Sequence, residues 1–147
     1  MSATPPTRSG TRAAYRPLIL HAEDDPTTAE LCSQILRAHG FEVANAHDGY
    51  EAVEFAIQLR PALVLIDIGL PVVNGIVATR RIRENPRTSE IPIVVLTAQN
   101  FPTEKALWWG ANALLAKPIQ ARELVSTIRE LLYTSAVAAK QRGGSST

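Results

Sequence analysis

Residues 63–71 read LVLIDIGLP, and the first four of them form an unbroken apolar run that ends on a carboxylate, Asp67. A strand with one face in solvent alternates apolar and polar residues, whereas a parallel strand covered by helices on both faces is apolar throughout. This run therefore predicts a buried parallel strand. Pro71 and Gly75 then separate the strand from a helix over about residues 76–84.

Short apolar runs alternate with helical patterns on both sides of this segment. The run 18–22 is followed by Asp25, a helix cap, and by Pro26 at a first helical position. The alternation predicts an α/β fold, a doubly wound five-stranded parallel sheet with flanking helices. The predicted strands are residues 18–22, 41–46, 63–66, 91–96 and 113–116, and the predicted helices are residues 26–39, 49–59, 76–84, 103–109 and 121–133.

The 147 residues suit one domain with two loosely structured ends. Residues 1–16 are predicted to be a disordered basic tail, residues 17–134 the folded domain, and residues 135–147 a helix extension that passes into a flexible C-terminal tail from Gln141. The net charge of +1 hides an asymmetry, because five of the fifteen Lys and Arg residues and none of the fourteen acids lie in the two ends. The folded part is therefore acidic, and direct binding to nucleic acid is not expected.

Composition also excludes several classes of protein. No apolar run approaches the roughly 20 residues that cross a bilayer, and residues 1–16 lack the apolar segment of a secretory signal. The chain is therefore expected to be cytoplasmic, without a membrane association. Cys32 is the single cysteine, which excludes an intramolecular disulfide, and its apolar setting predicts a core thiol. His21, in a central strand, is expected to pack in the core with one hydrogen bond.

Five residues with reactive or ligating side chains follow predicted strands at their C-terminal ends, which line the binding crevice of an open parallel sheet. Carboxylates gathered there repel one another unless a cation lies between them, and Mg²⁺ suits a shallow cluster of oxygen ligands. An aspartate in such a site can attack phosphorus, while a metal and an ammonium neutralise the phosphoryl oxygens. The five residues are Glu23, Asp24, Asp67, Thr97 and Lys117.

At these positions the chain resembles the response regulator receiver family. The matching stretches are LILHAEDDP at 18–26, LIDIGLP at 65–71 followed by Gly75, LTA at 96–98 and AKP at 116–118. Each stretch is weak alone, but their order and spacing on strand ends are specific. The resemblance implies the flavodoxin-like (βα)5 receiver fold and a phosphoacceptor role in two-component signalling.

The resemblance also implies individual roles. Asp67 would be the phosphoacceptor, and Mg²⁺ would bind Glu23, Asp24, Asp67 and the Gly69 carbonyl. Thr97 and Lys117 would sense the phosphate, and a cis bond before Pro118 would hold Lys117 towards the pocket. The family pattern places the metal pair on Glu23 and Asp24 and leaves Asp25 as the helix cap, although Asp25 is an alternative ligand.

Three departures from the family pattern concern the switch and output surface. Leu114 stands where receivers usually carry an aromatic residue, and the stretch from Thr97 to Lys117 is shorter than in a common receiver. The adjacent Trp108 and Trp109 cannot both point inward from a helix, so at least one is expected to be partly exposed and is a candidate binding anchor.

Gly69 and Gln99, two residues after Asp67 and Thr97, are expected to tune dephosphorylation.

The expected function is a phosphorylation switch and not an enzyme acting on an external substrate. The expected partners are a histidine kinase or phosphotransfer protein and a downstream protein, contacted through the short helix 103–109, the strand 113–116 and the last helix. A homodimer through that face is an open alternative, which the short helix makes less favourable than in a common receiver. Two rivals stay open. An aspartate-nucleophile phosphatase usually has a second Asp two residues after the first, where this chain has Gly69, and a pseudo-receiver would keep the fold without phosphorylation.

Overall fold

The computed structural model of the chain describes residues 15–98, 105 and 109–144. Within these residues, five parallel strands form one sheet in the order β2-β1-β3-β4-β5. The strands are β1 (Leu18–Ala22), β2 (Glu42–Ala46), β3 (Leu63–Asp67), β4 (Ile93–Thr97) and β5 (Ala113–Ala116). The described helices are α1 (Pro26–Ala38), α2 (Gly49–Leu59), α3 (Gly75–Glu84) and α4 (Ala121–Gly144). The predicted parallel α/β architecture is confirmed.

Helices cover both faces of the sheet, which explains why its central strands are apolar throughout. Every residue of β1, β3 and β4 is buried. Leu20, Val64 and Ile66 contribute to a cluster on the side of α2 and α3. Ile19 and Leu65 contribute to a second cluster, on the side of α1 and α4, that includes Cys32, Leu36, Leu124 and Ile128.

Element boundaries differ from the predicted ones where a side chain or a proline controls the backbone hydrogen bonds. β4 begins at Ile93 rather than residue 91, since Pro92 has no N–H to donate and contributes only its carbonyl, which accepts from Val64 N at 2.9 Å. α3 begins one residue early, because Asn74 Oδ1 accepts from Val77 N at 3.0 Å and caps the helix.

The last helix extends further than predicted. α4 has 24 residues and ends at Gly144, so the helix extension predicted after residue 134 is present, but helix also covers residues 141–144, where a flexible tail was expected. Ala136, Ala138 and Ala139 lie in the extension, and alanine has the highest helix propensity of any residue. An exposed ion pair of 3.2 Å between Arg142 and Glu90 also joins the extension to the loop before β4.

Several predicted features lie outside the described residues, namely most of the short helix 103–109, most of the N-terminal tail and residues 145–147. Of the short helix, the structure describes Lys105, which is helical, and Trp109, whose N–H donates to the Lys105 carbonyl at 3.3 Å. In the described part of the chain, every helix is too short or too polar to cross a membrane.

Candidate functional site

Three carboxylates meet at the C-terminal edge of the sheet because β1 and β3 are neighbours. Ala22 lies opposite Ile66 in the pairing, so the next residues, Glu23 and Asp67, fall side by side. One oxygen from each of Glu23, Asp24 and Asp67 can be chosen so that all three lie within 4.8 Å of one another. Glu23 is 2% exposed and Asp67 8%, whereas Asp24 is open to solvent. The cluster is therefore buried on one side and accessible from the other.

Lys117 reaches into this cluster from the end of β5. Its Nζ lies 2.9 Å from Asp67 Oδ2 and 3.2 Å from Glu23 Oε1. The backbone positions the side chain, since Lys117 N donates to the Thr97 carbonyl at 2.7 Å. The predicted cis peptide bond between Lys117 and Pro118 is present. One ammonium thus contacts two carboxylates.

The charges of the cluster change one another's protonation. Burial raises the pKa of Glu23 above its ordinary value, and the nearby Asp67 charge raises it further, although Lys117 and a hydrogen bond from Asp25 N oppose the increase. Burial alone would lower the pKa of Lys117, but its hydrogen bond to Asp67 and the two acidic charges outweigh this and raise it. Lys117 is therefore held protonated beside the acids.

The donor set fits a hard divalent cation. Glu23, Asp24 and Asp67 all offer carboxylate oxygens, which are the ligands that Mg²⁺ and Ca²⁺ prefer. Asp25 is not part of this set, since its Oδ2 accepts from Thr28 N at 3.0 Å and from Thr28 Oγ1 at 2.6 Å and so caps α1. The family pattern was therefore right to leave Asp25 as the cap.

Glycines allow the loop after Asp67 to pack closely on its neighbours. Gly75 N donates to the Ile68 carbonyl at 2.8 Å, and a Cβ at Gly75 would lie 2.2 Å from the Asp67 carbonyl oxygen. Gly49, the first residue of α2, donates to the Pro71 carbonyl at 3.2 Å, and a Cβ there would lie 1.6 Å from the Val73 carbonyl oxygen. The sequence did not reveal the role of Gly49, since it depends on contact between distant segments.

Val72 lies at the tip of the same loop in a conformation that L-residues rarely adopt. Its φ is 67°, and Val73 N donates to the Pro71 carbonyl at 2.8 Å across it, which makes a γ-turn of the rarer, strained kind. The side chain is 81% exposed, so no packing explains the choice of a β-branched residue.

The other predicted site residues are distributed around this cluster. Thr97 is buried at the end of β4, whose Leu96 pairs with Asp67, and Gly69 N donates to Asp67 Oδ1 at 3.2 Å. Leu114 and Trp109 are half-buried and pack against the core on the α2 and α3 side. Gln99 and Trp108 lie outside the described residues.

His21 departs from the expectation of one hydrogen bond. The ring is wholly buried, and neither nitrogen has a hydrogen-bond partner among the described residues. Burial, and then the charge of Lys117, lower its pKa to about 4, so the ring is neutral at physiological pH.

A groove of about 310 Å³ opens beside Lys117, between α1 and the segment after β5. Its walls are mostly apolar, and Leu31 on α1 is 57% exposed. The lining residues are Thr28, Leu31, Cys32, Ile35, Lys117, Pro118 and Ile119. The acidic cluster therefore has an adjoining surface that a second molecule can contact.

Comparison with known proteins finds relatives over most of the chain. The family model of the response regulator receiver domain matches residues 19–129. Protein PilH of Pseudomonas aeruginosa is 36% identical over 117 residues, which cover 78% of this chain and 96% of PilH. The DNA-binding dual master transcriptional regulator RpaA of Synechocystis sp. is 36% identical over 118 residues, but this chain spans only about half of its length, 49%.

A solved receiver domain is also similar to this chain in both fold and sequence. The receiver domain of the sensor histidine kinase PA1611 from Pseudomonas aeruginosa, solved with a magnesium ion coordinated in the active site cleft, has a TM-score of 0.75 and 33% identity. The similarity covers 80% of this chain and 98% of that one. With a family model that spans most of the chain and a shared five-stranded fold, this chain belongs to the response regulator receiver domain family of two-component signalling.

Proposed function

We propose that this chain accepts a phosphoryl group on Asp67 from the phosphohistidine of a histidine kinase or phosphotransfer protein and switches protein contacts in response. The observation that supports this most directly is the 2.9 Å contact between Lys117 Nζ and Asp67 Oδ2 within a cluster of three carboxylates. A carboxylate nucleophile and a protonated ammonium therefore lie next to each other. Transfer of a phosphoryl group to a carboxylate needs such a nucleophile and a positive charge that stabilises the phosphoryl oxygens.

The chemistry follows from the positions of these groups. A carboxylate oxygen of Asp67 attacks phosphorus while the bond from phosphorus to the donor's imidazole nitrogen breaks, and that nitrogen keeps the electron pair. The Lys117 ammonium neutralises charge on the phosphoryl oxygens, and the Thr97 hydroxyl, from the adjacent strand end, donates to one of them. Gly69 has no side chain, and a Cβ added there would meet only Asp67 Oδ1, at 4.0 Å. This position therefore leaves room for water.

Mg²⁺ is the proposed cofactor, held by Glu23, Asp24, Asp67 and the Gly69 carbonyl. When bound, it supplies positive charge that offsets the acids and the phosphoryl oxygens. The donor set supports this assignment, and the related PA1611 receiver domain carries a magnesium ion in its cleft.

The donor protein is proposed to dock on the groove beside Lys117. The groove shares Lys117 with the acidic cluster, so a partner seated on it would bring its phosphohistidine close to Asp67. Its exposed Leu31 supplies apolar contact area, which interfaces bury at their centres.

Output is proposed to run through the surface that includes Trp109, Leu114 and α4, to a downstream protein or a second copy of the chain, in the cytoplasm. The match to PilH over 96% of that protein supports a single-domain response regulator. Phosphorylation would bias a pre-existing equilibrium of this surface.

One experiment separates this proposal from its rivals. The protein is incubated with Mg²⁺ and acetyl phosphate and weighed intact by mass spectrometry. A receiver gains one phosphoryl group, and Asp67→Asn gains none. Rapid turnover of varied phosphomonoesters would instead indicate a phosphatase, and no mass gain from acetyl phosphate or from any phosphorylated kinase would indicate a pseudo-receiver.

A further inference from the structure

Arg83, in the last turn of α3, makes a set of hydrogen bonds that no sequence pattern predicted. Its half-buried guanidinium donates from Nε and Nη2 to the Gly110 carbonyl at 3.0 and 2.8 Å, and from Nη1 to the carbonyls of Ser89 and Ile91. Nη2 also donates to Asn112 Oδ1 at 2.9 Å. One side chain therefore holds α3, the loop before β4 and the turn before β5 together.

The turn before β5 is adapted to this contact. Gly110 has a φ of 101°, which glycine adopts without strain. A Cβ there would lie 3.0 Å from Arg83 Cγ, so the absence of a side chain also makes room for Arg83. Asn112 extends the network to β4. Its side-chain Oδ1 accepts from Ile93 N at 2.8 Å, and its backbone N–H donates to the Ile93 carbonyl at 2.7 Å. Removal of the guanidinium would leave carbonyls without these donors in a partly buried site.

The opposite end of α3 contacts the phosphoacceptor. Gly75 packs on the Asp67 carbonyl with no room for a Cβ, and its own carbonyl accepts from the buried Thr79 Oγ1 at 2.7 Å. Ala78 and Ile82 are wholly buried against the sheet. α3 therefore contacts the Asp67 main chain at its first residue and residues 110–112 through the Arg83 side chain in its last turn.

We propose that Arg83 is a positioning residue that couples the phosphorylation state of Asp67, through α3, to the turn Gly110–Asn112 and to the adjoining Trp109. The inference rests on the proposed function and deepens it by naming a route of regulation. It also suits a chain with Leu114 in β5, because the route requires no aromatic residue there. Rigid secondary-structure elements can carry coupling between distant sites, and α3 contacts both of these sites.

The test uses the full chain with Trp108→Phe, so that Trp109 is the remaining tryptophan. Its emission is recorded before and after phosphorylation with Mg²⁺ and acetyl phosphate, and the phosphorylated fraction is measured by intact mass. We expect a shift in the parent and, in Arg83→Met and Arg83→Lys, loss of about half of that shift or more at equal phosphorylated fraction. Amide exchange in residues 110–112 should be about tenfold faster in both variants. Arg81→Met, at an exposed position of the same helix, should behave like the parent.

The outcomes distinguish the two proposals. A parent that takes up no phosphoryl group would overturn the proposed function and the coupling with it. A phosphorylated parent whose Trp109 emission does not change, or Arg83 variants that keep the full shift, would overturn the coupling and leave the proposed function intact. If neither Arg83 variant folds, Asn112→Ala, which removes one of the guanidinium's acceptors, takes their place with the same criteria.

Discussion

Lys117 Nζ lies 2.9 Å from Asp67 Oδ2, although the two residues are 50 positions apart in the chain. The contact joins the ends of β5 and β3, which are separated in the sheet by β4. Because the same ammonium also contacts Glu23, it is a counter-charge to two of the three carboxylates of the acidic cluster.

Lys117→Met is expected to keep metal binding but slow phosphorylation. Without the ammonium the carboxylates attract a divalent cation at least as strongly as in the parent, but one charge that stabilises the phosphoryl oxygens is lost. The rate of phosphorylation by acetyl phosphate should fall about 100-fold. Intact mass against time gives the rate, and Mg²⁺ titration by calorimetry gives the affinity. A variant phosphorylated at the parent's rate would contradict the role given to Lys117.

Leu31→Asp is expected to impair transfer from a donor protein while sparing transfer from a small molecule. Leu31 is 57% exposed in the groove beside Lys117, so a charge there would interfere with an apolar partner without disturbing the core. We expect about a tenfold loss or more of transfer rate from a phosphorylated kinase, since disrupting an interface anchor costs about 1–2 kcal/mol or more. Acetyl phosphate is the control, and equal losses with both donors would show that the groove is not the docking site.

Gly49→Ala is expected to destabilise the fold by about 3 kcal/mol. The new Cβ would lie 1.6 Å from the Val73 carbonyl oxygen, and backbone cannot move aside as a flexible side chain can. Urea denaturation measures the loss. Gly69→Ala is the matched control, because its Cβ would meet only Asp67 Oδ1 at 4.0 Å, and its stability should stay within about 0.5 kcal/mol of the parent.

Val72→Asn is expected to raise the free energy of unfolding by about 1 kcal/mol. The residue has a φ of 67°, where β-branched side chains are strained and asparagine is tolerated. Its side chain is 81% exposed, so little packing is lost. Val77→Asn, in the first turn of α3, is the comparison and should give no gain. An unchanged or lower stability for Val72→Asn would show that the strain is not relieved in this way.

Stability should fall at alkaline pH through Cys32. Burial, with a smaller effect of the Glu23 charge, raises the pKa of this thiol from 9.0 to about 12. Above pH 9 the unfolded chain releases the thiol proton while the folded chain keeps it until about pH 12, so the free energy of unfolding decreases across that interval. The decrease is at most about 1.4 kcal/mol per pH unit.

Comparison with Cys32→Ala isolates this effect from other groups that titrate in the same range. Urea denaturation under reducing conditions at about pH 8 and about pH 10 should show the parent losing more stability than the variant. Identical losses in the two proteins would mean that the folded and unfolded thiols titrate alike.

The sequence determined the architecture because the relevant signals are local. The apolar run ending at Asp67 indicated a buried parallel strand, and the shared direction of parallel strands predicted that Glu23 and Lys117 lie near Asp67. The Asp25 cap also followed from its neighbours in the chain. The last four residues of α4 were misjudged, since two glycines and a polar composition suggested a flexible tail from Gln141, whereas the helix continues to Gly144.

Only the tertiary structure decided the contacts between segments that are distant in sequence. Arg83 and Gly110 are 27 positions apart, and nothing in the composition around either residue indicates their hydrogen bonds. The close approach of Gly49 to Val73 and the positive φ of Val72 likewise depend on how α2 packs against the loop after β3. The spacing of apolar residues and the helix caps depend on residues that are close in the chain, so they can be predicted directly from the sequence. Side-chain reach, steric clearance and burial depend on which elements the folded chain brings into contact.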